Sequence, residues 1–304
     1  MRSRLLVLLA AVTLTACVAP GPPRGSDALG DDALTIGSFN FPESVMLGEL
    51  YAQAIEAQGI RVTRRFDIGP RELVEPALQR GLIELVPEYA GSLLEFIGGG
   101  PASSDLDEVR SALVPALEKR GLVAFESANA QNRNAFAVSA DLSRSRRVVR
   151  LSDLAGVDGL ALGGPPECLR RPLCRPGLEE TYGITFDSFV PLDQGGPITA
   201  EALIRGFVDV GLIFTTSPEV LRSGLVLLED DRHLQPAEHV TPIAHHAAVE
   251  RFGSGLADAV DAVSASLTTA ELRLMNDRVE IAGLTPAEVA RSWLTDRGLV
   301  AGEG

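Results

Sequence analysis

Basic charge is scarce in this chain. Its 304 residues include one lysine, Lys119, and the 27 basic residues are outnumbered by 41 acidic ones, for a formal net charge of −14. Such a surface repels polyanions, which excludes a nucleic-acid partner. Aromatic residues are only 5% of the chain, so any aromatic site must be assembled from few rings. Catalytic signatures are missing too. There is no Gly-x-Ser-x-Gly elbow around the serine of Gly91-Ser92. The phosphate-loop lysine has no counterpart, and Gly98-Gly99-Gly100 follows a helical segment, as a C-cap does, rather than opening one. No histidine precedes His233. The four present, His233, His239, His245 and His246, never take the i, i+4 spacing that sets two imidazoles on one helix face. They read as loop histidines, so no metal and no cofactor are expected. Asp230, Asp231 and Glu238 beside them leave a zinc site as the open alternative. Glu238 with His239 is the one tempting acid–base pair, and no nucleophile accompanies it. An enzyme is therefore not expected.

What is present is a globular composition, 45% hydrophobic and 22% charged, with enough length for two domains. The N-terminus opens with Arg2 and Arg4, followed by an apolar run from Leu5 to Ala16. Twelve residues of helix rise only about 18 Å, short of a bilayer core, so the run reads as a secretory signal over residues 1–16. It ends in Leu14-Thr15-Ala16-Cys17. That tetrapeptide resembles the bacterial lipobox, in which the cysteine becomes the acylated first residue. Residues 17–33, rich in Pro, Gly, Asp and Ala, read as a flexible tether. No other stretch is long and apolar enough to span a membrane. Cys168 and Cys174 remain, six residues apart, and outside the cytoplasm such a pair is expected to form a disulfide that braces a local loop.

The body of the chain alternates strand and helix. Leu34–Gly37 reads as a strand, Ser44–Gln58 as an amphipathic helix, Ile60–Ile68 as a strand, Arg71–Arg80 as a helix and Ile83–Val86 as a third strand. The rhythm restarts with strands at 160–163, 186–192, 208–214 and 225–229 and helices at 177–182 and 199–205. Residues 257–294 are largely helical, with Thr268/Glu271 and Thr285/Glu288 in capping positions. This is an α/β pattern of mostly parallel sheets with helices on both faces, in two lobes. Ligands in such sheets sit beyond the carboxyl ends of the strands. The segments there are 37–43, 87–92 and 214–216.

Those segments carry a resemblance. Ile36-Gly37-Ser38-Phe39-Asn40-Phe41-Pro42-Glu43 with Leu47-Gly48-Glu49-Leu50-Tyr51, Arg71-Glu72-Leu73-Val74 with Pro76-Ala77-Leu78, Gly81 through Tyr89, and Leu228-Glu229-Asp230-Asp231 occur in order over about Leu34 to Leu294. They resemble the substrate-binding lipoproteins of ABC importers for glycine betaine, choline, carnitine and related quaternary amines. The resemblance implies a two-lobed periplasmic-binding-protein fold of type II. Lobe 1 would take 34–134 and 240–304, lobe 2 would take 135–239, and a ligand cleft would lie between them. It implies a monomer anchored by lipid on the extracytoplasmic face of the cell envelope, closing on a small solute and delivering it to ABC permease subunits. A different, less polar or aromatic solute, or a receptor without transport, is the alternative.

A quaternary ammonium donates no hydrogen bond and is held against aromatic faces. The family's aromatic cage falls on Tyr89, Asn134, Phe214 and Glu238, so two of its rings are replaced, and Ser92 stands for a threonine. Phe39 occupies the place of a lysine that meets the ligand carboxylate. The expected ligand-binding set is Phe39, Asn40, Tyr89, Ser92, Asn134, Phe214, Thr215 and Glu238, with Thr216 sharing the Thr215 segment. Phe39 and Phe41 stand two apart in an expected turn, so only one of them, Phe39, is expected to face the cleft. A quaternary amine such as glycine betaine or choline is expected; the loss of two rings and the lysine weakens the case for betaine itself and leaves open a cation without a carboxylate, met by Glu238, or a less polar aromatic solute.

The lipobox reading has a direct test. Metabolic labelling with a fatty acid should acylate the wild-type protein, and Cys17→Ala should abolish the label and release the protein from the membrane. An unlabelled wild type would show the reading to be wrong.

Overall fold

The structure, a computed structural model, describes residues 32–100, 103–218 and 224–302. The signal segment, Cys17 and the tether up to residue 31 lie outside the described residues. Ala33, placed at the end of the tether by the sequence, already belongs to the first strand.

Two five-stranded sheets organise the chain. The first contains β1 (Ala33–Gly37), β2 (Arg61–Arg65), β3 (Leu85–Tyr89), β4 (Leu122–Ala124) and β10 (Val240–His245), in the order β2-β1-β3-β10-β4. The second contains β5 (Asn134–Ser139), β6 (Ala161–Gly164), β7 (Ser188–Pro191), β8 (Val210–Phe214) and β9 (Leu225–Leu227), in the order β7-β6-β8-β5-β9. In the first sheet β2, β1 and β3 are parallel, and β10 is antiparallel to both β3 and β4. In the second, β7, β6 and β8 are parallel, and β5 is antiparallel to both β8 and β9. Each sheet therefore has four strands running one way and one reversed. The reversed strand is in each case the first one formed after the chain crosses from the other sheet.

Helices cover the sheets: α1 (Pro42–Ala57), α2 (Arg71–Gln79), α3 (Ala90–Phe96), α4 (Leu106–Glu118), α5 (Ala140–Arg146), α6 (Arg175–Tyr182), α7 (Pro197–Ile204), α8 (His246–Ser266), α9 (Thr269–Asn276) and α10 (Pro286–Asp296). Both expected capping boxes are formed, with Thr268 and Thr285 accepting from the N–H of Glu271 and Glu288. The first lobe has one core around Leu34, Ile36, Leu47, Leu50, Tyr51, Leu85 and Ile243. Two of its buried polar groups are paired across the fold: Tyr51 with Ser264 at 3.1 Å, and Glu84 with Arg251 at 2.7 Å. The second lobe buries both faces of its sheet. Strand alternation sends Phe136, Val138, Val210 and Leu212 to one side, and Ala137 and Ile213 to the other. Gly211 lies under α7, where an added Cβ would meet Leu203 Cδ1 at 2.8 Å.

The structure moves several sequence expectations. The third strand runs to Tyr89 rather than stopping at Val86, because β10 pairs along it from Val240↔Tyr89 to Ala244↔Leu85. Tyr89 is thus the last residue of the strand, not a residue beyond it. The C-terminal helical region begins at His246, earlier than 257. The reversed strands β5 and β10 have no counterpart in the strands read from the sequence.

One close approach fixes the crossing back to the first lobe. Gly91, in the first turn of α3, donates its N–H to Ala237 O at 3.1 Å. A Cβ there would lie 2.5 Å from Pro236 Cβ and 2.7 Å from Ala237 O. Gly91→Ala should therefore destabilise the protein by roughly 1–3 kcal/mol in denaturant unfolding, since backbone must shift to admit the methyl group.

Candidate functional site

A cavity lies between the two sheets, beyond the C-terminal ends of β1, β3, β6, β7 and β8. It leaves room for water-sized molecules over about 50 Å³. Four rings border it. Phe39 and Phe41 stack with centroids 5.9 Å apart, and Phe41 also meets Tyr89 at 6.2 Å and Phe214 at 5.3 Å. The local sequence explains the row. Ser38 closes β1, its Oγ accepting from Asp67 N at 2.9 Å, and Phe39 N donates to Ser44 Oγ at 2.9 Å. The chain bends at Asn40 and Phe41, Phe41 itself being extended (φ −142°, ψ 152°), before Pro42 starts α1. The bend leaves both flanking rings on the cavity side. Both Phe39 and Phe41 therefore line the cavity and Asn40 turns out to solvent. This overturns the expectation that only one of the two rings faces the cleft, and it takes Asn40 out of the lining.

Behind the rings sits Glu43, in the first turn of α1 and 3% exposed. Its Oε1 accepts from Tyr89 Oη and Asn132 Nδ2, each at 2.6 Å. Its Oε2 accepts from Thr216 Oγ1 and Asn276 Nδ2, each at 2.5 Å. Burial beside this carboxylate pushes the Tyr89 phenol well above its ordinary value, so it stays a donor. Tyr89 thus presents its ring to the cavity and ties its hydroxyl away from it.

Two arginines enter from opposite lobes. Arg71, at the start of α2 and buried, donates through Nε and Nη2 to Glu88, and its guanidinium lies 5.4 Å over the Phe39 ring. Arg171 reaches in from the loop between Cys168 and Cys174, which are disulfide-bonded with Cα atoms 5.2 Å apart. It donates through Nε and Nη2 to Glu72 at 3.2 and 2.8 Å, an ion pair that spans the two lobes. Both arginines line the cavity, and neither Nη1 is engaged by a described residue. The loop that the cysteines close therefore does more than brace itself: Arg171 and Leu173 both contribute to the cavity wall.

Of the eight expected ligand residues, the structure brings Phe39, Tyr89, Ser92, Asn134, Phe214 and Glu238 to this one cavity. Tyr89 comes from the first sheet and Phe214 from the second, with Phe41 between them rather than open space. Thr215 is not in the lining. Its Oγ1 accepts from Arg133 N and its carbonyl from Arg273, so it knits the first crossing to the end of β8. Neighbouring Thr216 serves Glu43. Phe41, Arg71, Glu95, Asn132, Arg171, Leu173 and Gln194 complete the lining. A signal for Arg71 was within reach, since it opens one of the quoted motifs.

The histidines do not gather: no metal-ligating cluster of His, Cys, Asp or Glu occurs among the described residues. His239 Nδ1 pairs with Ala128 O at 2.7 Å, and His245 Nδ1 caps its own helix by accepting from Ala247 N. Glu238 faces elsewhere, both carboxyl oxygens receiving Ser92 N–H at 3.1 Å. The tempting acid–base pair is thus not assembled. Asp230 caps its loop by accepting from Leu234 and Gln235 N–H.

Glu238 is 2% exposed, and burial lifts its carboxyl to about 7 against the opposing pull of Arg71 and the Ser92 N–H. The unfolded chain releases this proton near 4.5. Between those values the folded state holds a proton that the unfolded state has lost, so this group's contribution to stability declines as pH rises through that window and levels off above it. Glu238→Gln should remove that decline. Thermal melts of both proteins from pH 4.5 to 8 check it; parallel curves would refute it.

Comparison with known proteins follows the geometry. The family profile described as the substrate binding domain of ABC-type glycine betaine transport systems matches residues 32–296. The chain is 24% identical to the glycine betaine-binding protein YehZ of Escherichia coli over 96% of each chain. It is 26% identical to a glycine-betaine-binding protein of Pseudomonas aeruginosa over 90% of this chain and 92% of that one. Among solved structures, a glycine betaine/carnitine/choline ABC transporter protein superposes with TM-score 0.70 at 22% identity, covering 88% of this chain and 99% of the other.

Proposed function

The chain belongs to the family of substrate-binding domains of ABC-type glycine betaine transport systems, and from that membership we propose that its inter-lobe cavity captures a small zwitterionic methylamine of the glycine betaine type. Members of this family are extracytoplasmic solute receptors that work with an ABC transporter, not enzymes. The observation that carries the reading is one cavity holding both a row of four rings and two arginines with a free guanidinium edge. A methylated ammonium rests against Phe41, Tyr89 and Phe214, where rings replace its lost hydration. The solute carboxylate takes the unengaged Nη1 edges of Arg71 and Arg171, and charge-assisted hydrogen bonds orient it. These arginines do the work of the lysine that Phe39 displaces, and Phe39 and Phe41 add rings where Asn134 and Glu238 lack them. The composition of the cavity thus favours a zwitterion over the carboxylate-free cation that the sequence left open. Glu238 stays neutral near pH 7 often enough to tolerate the carboxylate.

The lobes, 34–134 with 240–304 and 135–239, close about the two crossings. The Arg171–Glu72 pair forms as they meet. The protein works as a monomer held to the membrane by an acylated Cys17, and it hands its solute to the permease.

Calorimetric titration with glycine betaine, choline and an uncharged aromatic solute tests the reading. Glycine betaine should bind most tightly. Tyr89→Ala should weaken it roughly tenfold to thirtyfold, equivalent to about 1.4–2 kcal/mol. Arg171→Ala should narrow the gap between glycine betaine and choline. Tighter binding of choline by the wild type would sink the zwitterion reading.

A further inference from the structure

The acceptors in the cavity do not suit a fully methylated ammonium. Asn132 is 4% exposed and its Nδ2 donates to Glu43 Oε1 at 2.6 Å. That bond to a carboxylate fixes which way the amide points, so its Oδ1 faces away from Glu43. The Oδ1 is buried and has no hydrogen-bond partner. Gln194, on the loop after β7, also carries a buried Oε1 without a partner. Both residues line the cavity, and both sit at its aromatic end. Asn132 shares Glu43 with Tyr89, and Gln194 lies with Phe41 and Phe214 around a second, smaller cavity behind the rings. A quaternary ammonium placed there has no N–H to offer. Both oxygens are already shut from water, so a quaternary ammonium leaves them unpaired, whereas an ammonium N–H would supply the missing hydrogen bond.

We propose that the preferred solute of this site is a methylated amino-acid zwitterion that keeps an ammonium N–H, a secondary or tertiary amine rather than a quaternary one. The inference rests on the zwitterion reading above and refines it. The N–H donates to Asn132 Oδ1 or Gln194 Oε1 while the remaining methyl groups stay on the rings. The carboxylate end is unchanged, held by Arg71 and Arg171.

Glycine betaine and N,N-dimethylglycine test this, because they differ only in one N-methyl group against one N–H. Calorimetric titration of the purified, exported protein at constant pH should give about tenfold tighter binding of N,N-dimethylglycine, equivalent to about 1.4 kcal/mol. Gln194→Ala, which does not touch Glu43, and Asn132→Ala should each reduce that preference severalfold. Equal or tighter binding of glycine betaine by the wild type overturns the inference and leaves the zwitterion reading standing. Binding of neither compound overturns both. A preference for N,N-dimethylglycine that survives in both variants removes these two oxygens as its cause and overturns the assignment.

Discussion

One buried carboxylate holds the cleft together. Glu43 has four donors on its two oxygens, which fills the lone-pair sites a carboxylate offers. The donors come from the end of β3, the first crossing, the segment after β8 and the last residue of α9. Four pieces of chain far apart in sequence are thus pinned to one group at the start of α1, where the helix N-terminus also favours negative charge. A buried ion of this kind is expensive unless every partner is in place. The arrangement tolerates little slack, and that stiffness is what sets the rings at fixed spacing. Tyr89 is the clearest case: its hydroxyl is committed to Glu43, so only its face is left for solute.

The two reversed strands give the cleft its second constraint. Parallel strands all aim their carboxyl ends at the cavity and supply Phe39, Tyr89, Gln194 and Phe214 from or just after those ends. The reversed strands arrive from the other side and supply residues from their beginnings, Asn134 opening β5 and Glu238 just ahead of β10. The crossings therefore contribute to the wall rather than skirting it. Were one lobe to rotate against the other, the lining itself would change.

The parts of the fold that were legible in the sequence are those governed by local rules. Strands buried on both faces, such as Val210–Phe214, read as continuous apolar runs, and the capped helices near the C-terminus announced themselves through Thr268 and Thr285. The reversed strands were not legible. Pro242 interrupts the pattern of β10, which depends on pairing with β3; β4, missed as well, has only three residues and pairs only with β10. The site divides in the same way. Six expected residues meet in one cavity because strand ends are where ligands gather. Arg71 opens a recognised motif, but only the buried Glu88 beside it turns it to the cavity; Arg171 carries no local mark and depends on the loop fixed by Cys168 and Cys174. The error over Phe41 came from supposing that a bend between two rings leaves only one of them on the cavity side; here it leaves both there.

The loop bearing Arg171 has a consequence for timing. Its bond to Glu72 joins the lobes across the mouth of the cleft, yet both side chains remain in contact with water. Exposed ion pairs of this sort contribute about 0–1 kcal/mol and are screened by salt. If the lobes open and shut as proposed, such a fastener changes the dwell of the shut form by no more than a few-fold. A receptor that must unload its cargo many times has reason to be fastened weakly, and an envelope exposed to changing salinity would loosen this fastener as the medium grows more saline.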